Sequence, residues 1–372
     1  MIELKEIHSK KEMKQFVLFP FSLYENNPYW VPPIIKDELD TFDTSKNPVF
    51  EQASARFFLA IKNNRIVGRI AAIINTYEVE HQLLKKMRFG WFDVIDDINV
   101  TKMLIDQVKT IAIENNLEFI EGPVGFNNLD KTGVLIDGFD HIGTMITWYN
   151  HPYYKEHLEL LGFTKEKEYL ENKFSFKNVD GAYYDRLSKI IQKRFKLKPL
   201  NFSSTKEIMP YVDEMFELFN RTYSKLSTYV PISESQIQHF KKKYISFINP
   251  EYIKFVIDEH GKLVAFAIVM PSFSEALQKA NGKLFPFGIF RLLNARKKAK
   301  DVTFYLIGVD PPFQNKGVTA IIFREYFLTF MAKGIETCIR TPELEDNLAI
   351  KKIWENFNPI THKRRRTYRL NL

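Results

Sequence analysis

Residues 304–330 constrain the fold more than any other part of the chain. They open with an apolar, β-branched and aromatic run that ends at Asp310 before two prolines, which predicts a buried strand. A short polar loop, residues 314–319, follows and leads into a helix in which phenylalanines recur at i, i+4 and i+7. The first turn of a helix has N–H groups without partners and the positive end of the macrodipole. A strand, a tight loop and a helix N-terminus in this order therefore predict a site for an anion such as phosphate.

The loop reads Gln-Asn-Lys-Gly-Val-Thr, and its glycine and lysine suit a phosphate. Gly317 lets the backbone approach the anion closely, and Lys316 adds a full positive charge. The layout resembles the pyrophosphate loop of the GNAT superfamily of N-acetyltransferases, with Thr319 where that family has a small residue. The resemblance implies an α/β fold with a mixed sheet and acetyl-CoA, or another acyl-CoA, as the co-substrate. The residues that it implies for coenzyme A in this loop are Val309, Gln314, Asn315, Lys316, Gly317, Val318 and Thr319.

A second motif follows downstream, from Asn347 to Phe357. It resembles the family's Asn-x-x-Ala-x-x-x-Tyr pattern, in which the asparagine contacts the pantetheine arm and the tyrosine often protonates the leaving thiolate. By this resemblance Asn347 and Trp354 also lie at the coenzyme. An indole N–H cannot give up its proton at neutral pH, so Trp354 cannot replace that tyrosine as an acid. The remaining candidates for proton transfer are Tyr305, Tyr368 and Glu345, unless the thiolate leaves unaided.

The chain contains two copies of this pattern. A strand hairpin and the downstream motif each occur twice, and the same interval of 197 residues separates Val67 from Val264 and Asn150 from Asn347. In the first copy, the turn of this hairpin is predicted at Asn63 and Asn64, which can take positive φ. We therefore expect two tandem GNAT-like folds, a degenerate N-terminal domain over residues 1–178 and a C-terminal acyl-CoA domain over 196–372. Charged and polar residues at 176–198 are interpreted as the join.

The first copy lacks the features of the anion loop. Between Phe92 and Leu104 it has no glycine, and it has three aspartates, Asp93, Asp96 and Asp97. Their negative charges would repel a pyrophosphate. We therefore expect this copy to supply structure and part of the acceptor pocket and not to bind coenzyme A.

Composition limits the class of protein. Of 372 residues, 45% are hydrophobic and 26% are charged, as in globular proteins. One cysteine, Cys338, excludes an internal disulfide and is interpreted as a core residue. No apolar run is long enough to span a bilayer and no secretory signal precedes the first strand, so we expect a cytoplasmic protein. The histidines show no metal-ligand spacing, and no metal is expected.

The net charge of +8 is concentrated in two basic clusters, residues 291–300 and 363–366. No base-reading module accompanies either cluster, so nucleic-acid binding is not expected, whereas the phosphates of coenzyme A would attract cations. The segment 285–300 is first apolar and then basic. It is interpreted as an insertion that covers the acceptor cleft of the second copy, with contact to a membrane surface as the alternative. The oligomeric state is left open.

The sequence thus predicts an acyl-CoA-dependent N-acyltransferase that transfers its acyl group directly to an amine of a small molecule or peptide. Two alternatives remain. Tandem copies of this fold also occur in peptide-bridge transferases that use aminoacyl-tRNA, which look unlike this chain because they lack an intact pyrophosphate loop. A non-catalytic module that binds coenzyme A is favoured by one feature, the tryptophan at position 354.

Overall fold

The computed structural model describes residues 1–127, 129–224, 229–242 and 248–372. Helices and strands both occur throughout the described chain. The strands are β1 (Ile2–Glu6), β2 (Ala53–Lys62), β3 (Arg65–Asn75), β4 (Lys86–Val94), β5 (Phe119–Gly122), β6 (Val134–Asp137), β7 (Thr164–Ser175), β8 (Lys198–Asn201), β9 (Ile253–Ile257), β10 (Leu263–Pro271), β11 (Asp301–Val309), β12 (Thr337–Arg340), β13 (Glu343–Leu344) and β14 (Ile360–Asn371). The helices are α1 (Lys10–Leu23), α2 (Ile35–Thr41), α3 (Ile98–Glu114), α4 (Tyr153–Leu160), α5 (Gly181–Phe195), α6 (Thr205–Ile208), α7 (Val212–Tyr223), α8 (Glu234–Phe240), α9 (Ser274–Ala280), α10 (Gly288–Lys298), α11 (Thr319–Lys333) and α12 (Leu348–Trp354).

Two compact units divide the chain, and neither is continuous in sequence. The first consists of Met1–Leu170, Ser274–Leu292 and His362–Leu372. The second consists of Glu171–Phe273 and Leu293–Thr361. The predicted copies, 1–178 and 196–372, differ from these units because two segments of the C-terminal half are grouped with the first. The boundaries of the two copies stay a prediction.

The first unit has a mixed sheet built from a meander. Strands β1 to β5 lie in chain order, and β14 pairs with both β5 and β6. Each strand from β1 to β4 is antiparallel to the next, and β14 is antiparallel to β5 and β6, whereas β4 and β5 are parallel. The β2–β3 turn is the predicted one, since Asn63 and Asn64 both have positive φ angles, of 52° and 58°. Helix α3 covers this sheet and buries Leu104 and Val108.

The second unit repeats the plan. Its strand order is β7–β12–β11–β10–β9–β8, and again one pair, β11 with β12, is parallel. Helix α11 packs on this sheet, and Phe304, Phe323 and Trp354 lie in the core. The expected fold class, an α/β fold with a mixed sheet, is confirmed.

Most of the segment 176–198, interpreted from the sequence as the join between the copies, is helical, and its role as the join stays a prediction. Gly181–Phe195 forms helix α5, which begins at the side-chain cap of Asp180 and packs against α11 in the second unit. Its apolar face is narrow, with Tyr184 and Ile191 buried, and exposed charged residues around it hid the pattern. Helix α5 therefore lies beside the loop of residues 314–319.

The 274–292 segment is held in the first unit by hydrogen bonds. The Ser274 hydroxyl donates to the carbonyl oxygen of Gly143 at 2.7 Å. The Gln278 side-chain amide donates to the carbonyl oxygens of Pro28 and Trp30 at 2.8 and 3.0 Å. The interpretation of residues 285–300 as a cover for the acceptor cleft of the second copy stays a prediction.

Candidate functional site: a strand opening and the loop that follows it

Strand β11 loses its parallel neighbour halfway along its length. It pairs with β12 only from Asp301 to Phe304, because β12 ends at Arg340 and the N–H of Thr341 donates to the carbonyl oxygen of Phe304 at 3.2 Å. The pairing of β11 with β10 continues to Val309, with a shift of register at Tyr305. Among the described residues, no strand therefore pairs with the second half of β11 on the side that β12 has left.

The backbone at this opening presents polar groups to it. The N–H of Asp310 donates to Val264 of β10 at 2.8 Å. Because successive residues of a strand direct their polar groups to opposite edges, Val309 and Ile307 direct theirs to the open edge. The hydroxyl of Tyr223 donates to the carbonyl oxygen of Ile307 at 3.2 Å, which agrees with this direction. An N–H group at Val309 is thus placed where an oxyanion donor would be useful.

The loop after β11 leaves several amides without acceptors. Within the described part of the chain, the N–H groups of Asn315, Gly317, Val318 and Thr319 donate to no protein atom. The carbonyls that begin α11 are already used, since Gly317 and Val318 accept from Ala320 and Ile321. Val318 at the N-cap makes no side-chain cap, and the first turn has no acidic residue. The helix start therefore keeps its positive end and its free donors for an anion.

Backbone conformation and side chains shape this loop. Gly317 has a φ of 76° and Asn315 a φ of 59°. A Cβ added at Gly317 would lie 3.2 Å from Cδ1 of Ile191 on α5. The Gln314 side-chain amide donates to the carbonyl oxygen of Val309 at 3.0 Å and so ties the loop to the end of β11.

Lys316 supplies the positive charge predicted for the loop. Its side chain is exposed, and its Nζ lies over two rings, 5.5 Å from the Phe195 centroid and 5.7 Å from the Phe313 centroid. These rings hold the cation beside the loop without neutralising it. The residues present therefore fit a diphosphate.

In the first unit, the corresponding helix α3 is capped at its N-terminus by a side chain. Asp97 caps α3 by accepting from the N–H of Asn99 at 3.0 Å, and Asp96 lies 3.2 Å from Nε2 of His157. A carboxylate at the cap satisfies one of the donors and cancels part of the positive end of the helix. The start of α3 is therefore less suited to an anion than the start of α11.

Asn347 begins helix α12. Its side-chain oxygen accepts from the N–H of Ile350 at 3.2 Å, so it serves as the N-cap. The contact with a pantetheine arm that the resemblance implies stays a prediction. Asn150 in the first unit is buried and bonds both polar groups of Leu135 instead.

Trp354 lies inside an aromatic cluster. It is 1% exposed, and its ring contacts Phe304 and Phe323 at centroid distances of 4.8 and 5.0 Å. Its buried indole N–H makes no hydrogen bond of ordinary geometry within the described residues, but it lies near Glu343 and lowers the pKa of that carboxyl. This position is that of a core residue, and its contact with coenzyme A stays a prediction.

Sequence reasoning missed a buried ion pair close to the strand opening. Arg340, the last residue of β12, lies 2.5 Å from Glu343, and both side chains are nearly inaccessible. Two guanidinium nitrogens of Arg340, Nε and Nη1, are buried without a partner among the described residues. Burial raises the pKa of Glu343 to about 7, against the lowering effect of the charges on Arg340 and Lys351.

Tyr223 is hydrogen-bonded to β11 and lies within the electrostatic influence of Glu343. Burial, together with the charge of Glu343, raises the pKa of Tyr223 to about 12, and its hydroxyl is bonded to Ile307 of the open strand. A carboxyl that titrates near neutral pH close to a strand opening is suited to accept a proton. In the sequence, the one signal for Glu343 is that it lies two residues before Glu345, a predicted proton-transfer residue.

The three predicted proton-transfer residues lie in different surroundings. Tyr305 is at the irregular point of β11, where its carbonyl oxygen accepts from the Thr341 hydroxyl at 3.4 Å. Glu345 is half-buried in the turn before α12. Tyr368 belongs to the first unit, where its hydroxyl donates to Glu159 at 3.0 Å and burial raises its pKa. Their catalytic roles stay predictions.

Two further observations concern ligands and membranes. Cys338 is buried on β12, and burial raises its pKa, as fits a core thiol. Among the described residues, no group of three or more His, Cys, Asp or Glu side chains is arranged to hold a metal ion. Over the same residues, no helix combines the length and the apolar character needed to cross a bilayer.

Comparison with solved structures defines the class of fold. The chain is similar over 100% of its length to a tandem GNAT protein from the clavulanic acid biosynthesis pathway, with 98% of that chain covered, a TM-score of 0.59 and 10% sequence identity. The chain therefore has the tandem GCN5-related N-acetyltransferase fold, as the sequence motifs predicted.

Comparison with curated proteins gives two relatives. The protein YghO of Escherichia coli (strain K12) is 26% identical over 369 residues, which are 97% of this chain and 93% of that protein. The bacterial ceramide synthase of Caulobacter vibrioides (strain NA1000 / CB15N) is 26% identical over 165 residues, which are 44% of this chain and 42% of that protein. No family model matches the chain.

Proposed function

We propose that this protein is an acyl-CoA-dependent N-acyltransferase whose coenzyme site lies in the second copy. One observation carries the proposal: α11 starts without a cap, directly after a strand whose parallel neighbour has left it. The amides of Asn315, Gly317, Val318 and Thr319 would bind the pyrophosphate, with Lys316 beside them. Acyl-CoA supplies the thioester from which the acyl group is transferred.

The acyl group is proposed to move directly to an amine. The N–H of Val309 would donate to the oxygen that becomes negative as the amine attacks the carbonyl carbon. Glu343 would take the proton that the attacking nitrogen loses, because its pKa of about 7 leaves a large part of it ionised at neutral pH. The thiolate needs no strong acid as it leaves, since its conjugate thiol has a pKa of about 8.5.

The proposed acceptor is defined less narrowly than the proposed reaction. A fold does not specify an acceptor, so an amine of a small molecule or peptide is proposed. The name of the Caulobacter relative gives a reason to include lipid-like amines, because a ceramide is an amide of a fatty acid with a long-chain amino alcohol. That relative matches less than half of this chain, so the long-chain amine is one member of the panel and not the conclusion.

The test is a thiol-release assay with acetyl-CoA and longer acyl-CoAs over a panel of short, peptide and long-chain amines. Calorimetry with coenzyme A alone runs beside it. The variant Gly317→Trp fills the loop, and Gly261→Trp is the matched control. Both glycines have positive φ angles, of 76° and 83°, so both changes strain the backbone, but nothing lies within 4 Å of a Cβ at Gly261.

We expect coenzyme binding and turnover in the wild type and in Gly261→Trp, and neither in Gly317→Trp. Equal activity in both variants would remove the loop from the mechanism. No heat with millimolar coenzyme A in the wild type would favour a transferase that uses aminoacyl-tRNA. Binding without turnover over the whole panel would favour a non-catalytic coenzyme-binding module.

A further inference from the structure

Three phenylalanine side chains stand in solvent within six residues of each other. Phe285, Phe287 and Phe290 are 78%, 67% and 68% exposed, and no other phenylalanine of the described chain is exposed. Helix α10 continues this apolar strip with Leu293, which is 40% exposed. Its opposite side is the one that packs, since Gly288 and Leu292 are buried. The exposed rings are therefore not accounted for by the core of the protein.

The charged residues of the segment 276–300 are all positive. From residue 276 to residue 300 the chain has seven lysines and arginines and no acidic residue. Lys283, Lys297 and Lys298 are exposed and form no ion pair with any described residue. Arg291 and Arg296 donate to the backbone carbonyl oxygens of Lys279 and Ile248, so they too keep a positive charge that no carboxylate balances.

The spacing of residues in α10 places one cation, Lys297, at the end of the apolar face and two others along one side of it. Phe290, Leu293 and Lys297 follow at i, i+3 and i+7, and Phe287 lies one turn earlier on the same face. Arg291 and Lys298 lie to one side of it, seven residues apart. Aromatic rings in the middle and long cations at the edge are the arrangement of a helix that lies in the plane of a bilayer surface.

We propose that the face formed by Phe285, Phe287, Phe290 and Leu293, with its basic rim, docks on an anionic lipid bilayer. The phenyl rings enter the boundary between headgroups and acyl chains, and the lysines and arginines contact anionic headgroups. A protein partner would leave this excess positive charge unbalanced unless its own surface were acidic. A bilayer with anionic lipids supplies both apolar depth and negative charge at one surface. The proposal does not depend on the acyltransferase function.

Flotation of the full chain with vesicles tests the proposal. Neutral vesicles contain phosphatidylcholine only, and anionic vesicles contain phosphatidylcholine and phosphatidylglycerol at about 7:3. We compare the wild type with the double variant Phe287→Ser/Phe290→Ser. The matched control is Leu83→Ser/Leu160→Ser, which removes two other leucines of the first unit that are 79% and 75% exposed.

We expect the wild type to float with anionic vesicles and the phenylalanine variant to partition at least about tenfold more weakly, because each ring buries apolar area in the bilayer. The leucine control should stay within about twofold of the wild type. Lys297→Gln/Lys298→Gln should weaken partition to anionic vesicles about tenfold and leave partition to neutral vesicles unchanged. Wild-type behaviour of the phenylalanine variant, or equal partition to both vesicle types, would overturn the proposal.

A second measurement does not depend on how the serine variants fold. Cys338 is buried, so a cysteine introduced by Phe290→Cys can be labelled selectively with an environment-sensitive dye. The emission of the dye should shift to the blue on addition of anionic vesicles, whereas a dye on Leu160→Cys should not respond. Concentration-dependent self-association of the wild type that Phe287→Ser/Phe290→Ser abolishes, without any vesicle binding, would instead make the face an interface between two copies of the chain and refute the proposal.

Discussion

Placing a carboxylate at the start of α11 should separate helix stability from coenzyme binding. Thr319 is the first residue of this helix, is partly exposed and lies among the amides that lack acceptors. A negative charge in the first turn of a helix contributes about 0.3–1 kcal/mol to stability. Thr319→Asp should therefore raise the Tm of the ligand-free protein by about 1–3 °C. The change gives α11 the kind of acid that Asp97 provides for α3.

The same carboxylate should oppose a diphosphate. At a separation of about 5 Å, each phosphate charge is repelled by about 0.8 kcal/mol even at the dielectric constant of water, and by more near the protein surface. Two charges therefore cost at least about 1.6 kcal/mol, which is at least about a 15-fold loss of affinity for coenzyme A. The neutral variant Thr319→Asn should lose less than about threefold.

Thermal unfolding without ligand and calorimetry with coenzyme A measure the two effects on the same samples. The reasoning requires opposite signs in Thr319→Asp, a higher Tm and a weaker affinity, with the loss of affinity reduced at high salt because of screening. If Thr319→Asp binds coenzyme A within about threefold of the wild type while its Tm rises, the anion site is not at this helix start. If both quantities fall together, the variant has disturbed the loop itself, and the charge argument for the site is refuted.

Three further expectations concern the neighbouring groups. Glu343→Gln should lower kcat about 10²–10⁴-fold. The wild-type rate should fall as the pH drops below about 7, where this carboxyl is protonated, and the variant should show no such fall. An unchanged pH profile in the variant would rule Glu343 out as the base. Trp354→Phe should cost about 1–3 kcal/mol in urea unfolding because it leaves a cavity among Phe304 and Phe323. Because the indole lowers the pKa of Glu343, the variant should also move the fall of the rate to higher pH, while kcat on the high-pH plateau stays within about threefold; a hundredfold loss of plateau kcat in a folded variant would contradict this assignment to the core. Asp97→Ala should cost about 1 kcal/mol at pH 7 through loss of the α3 cap and leave affinity for coenzyme A unchanged. The hydrogen bond from Lys62 lowers the pKa of Asp97, so this stability difference should be present above the unfolded pKa of about 4 and vanish as the pH falls through the folded value; a difference that persists at pH 2 would contradict it.

Local patterns carried much of the fold. The Asn63–Asn64 hairpin, which was predicted, and the Ser9 cap of α1 are fixed by interactions between residues close in sequence. The strand, loop and helix of residues 304–330 were predicted for the same reason. The repeat of these patterns along the chain also indicated two copies of one fold, which the structural comparison confirms at the level of the fold.

Long-range packing decided the rest. Helix α5 lies beside the loop because Ile191 and Phe195 contact it there, although its sequence is mostly exposed and charged. The pKa of Glu343 depends on burial and on Arg340, and neither burial nor that pairing is visible in an Arg-Thr-Pro-Glu sequence.

The sequence by itself determined the elements, their order and the anion-binding character of one loop, because hydrogen bonds and side-chain periodicity within short segments specify these. Only the tertiary structure decided which carboxyl is shielded from water and where β12 leaves β11. It also grouped the segments Ser274–Leu292 and His362–Leu372 with the first unit. Such properties depend on desolvation and on contacts between residues far apart in the chain, which no local pattern encodes.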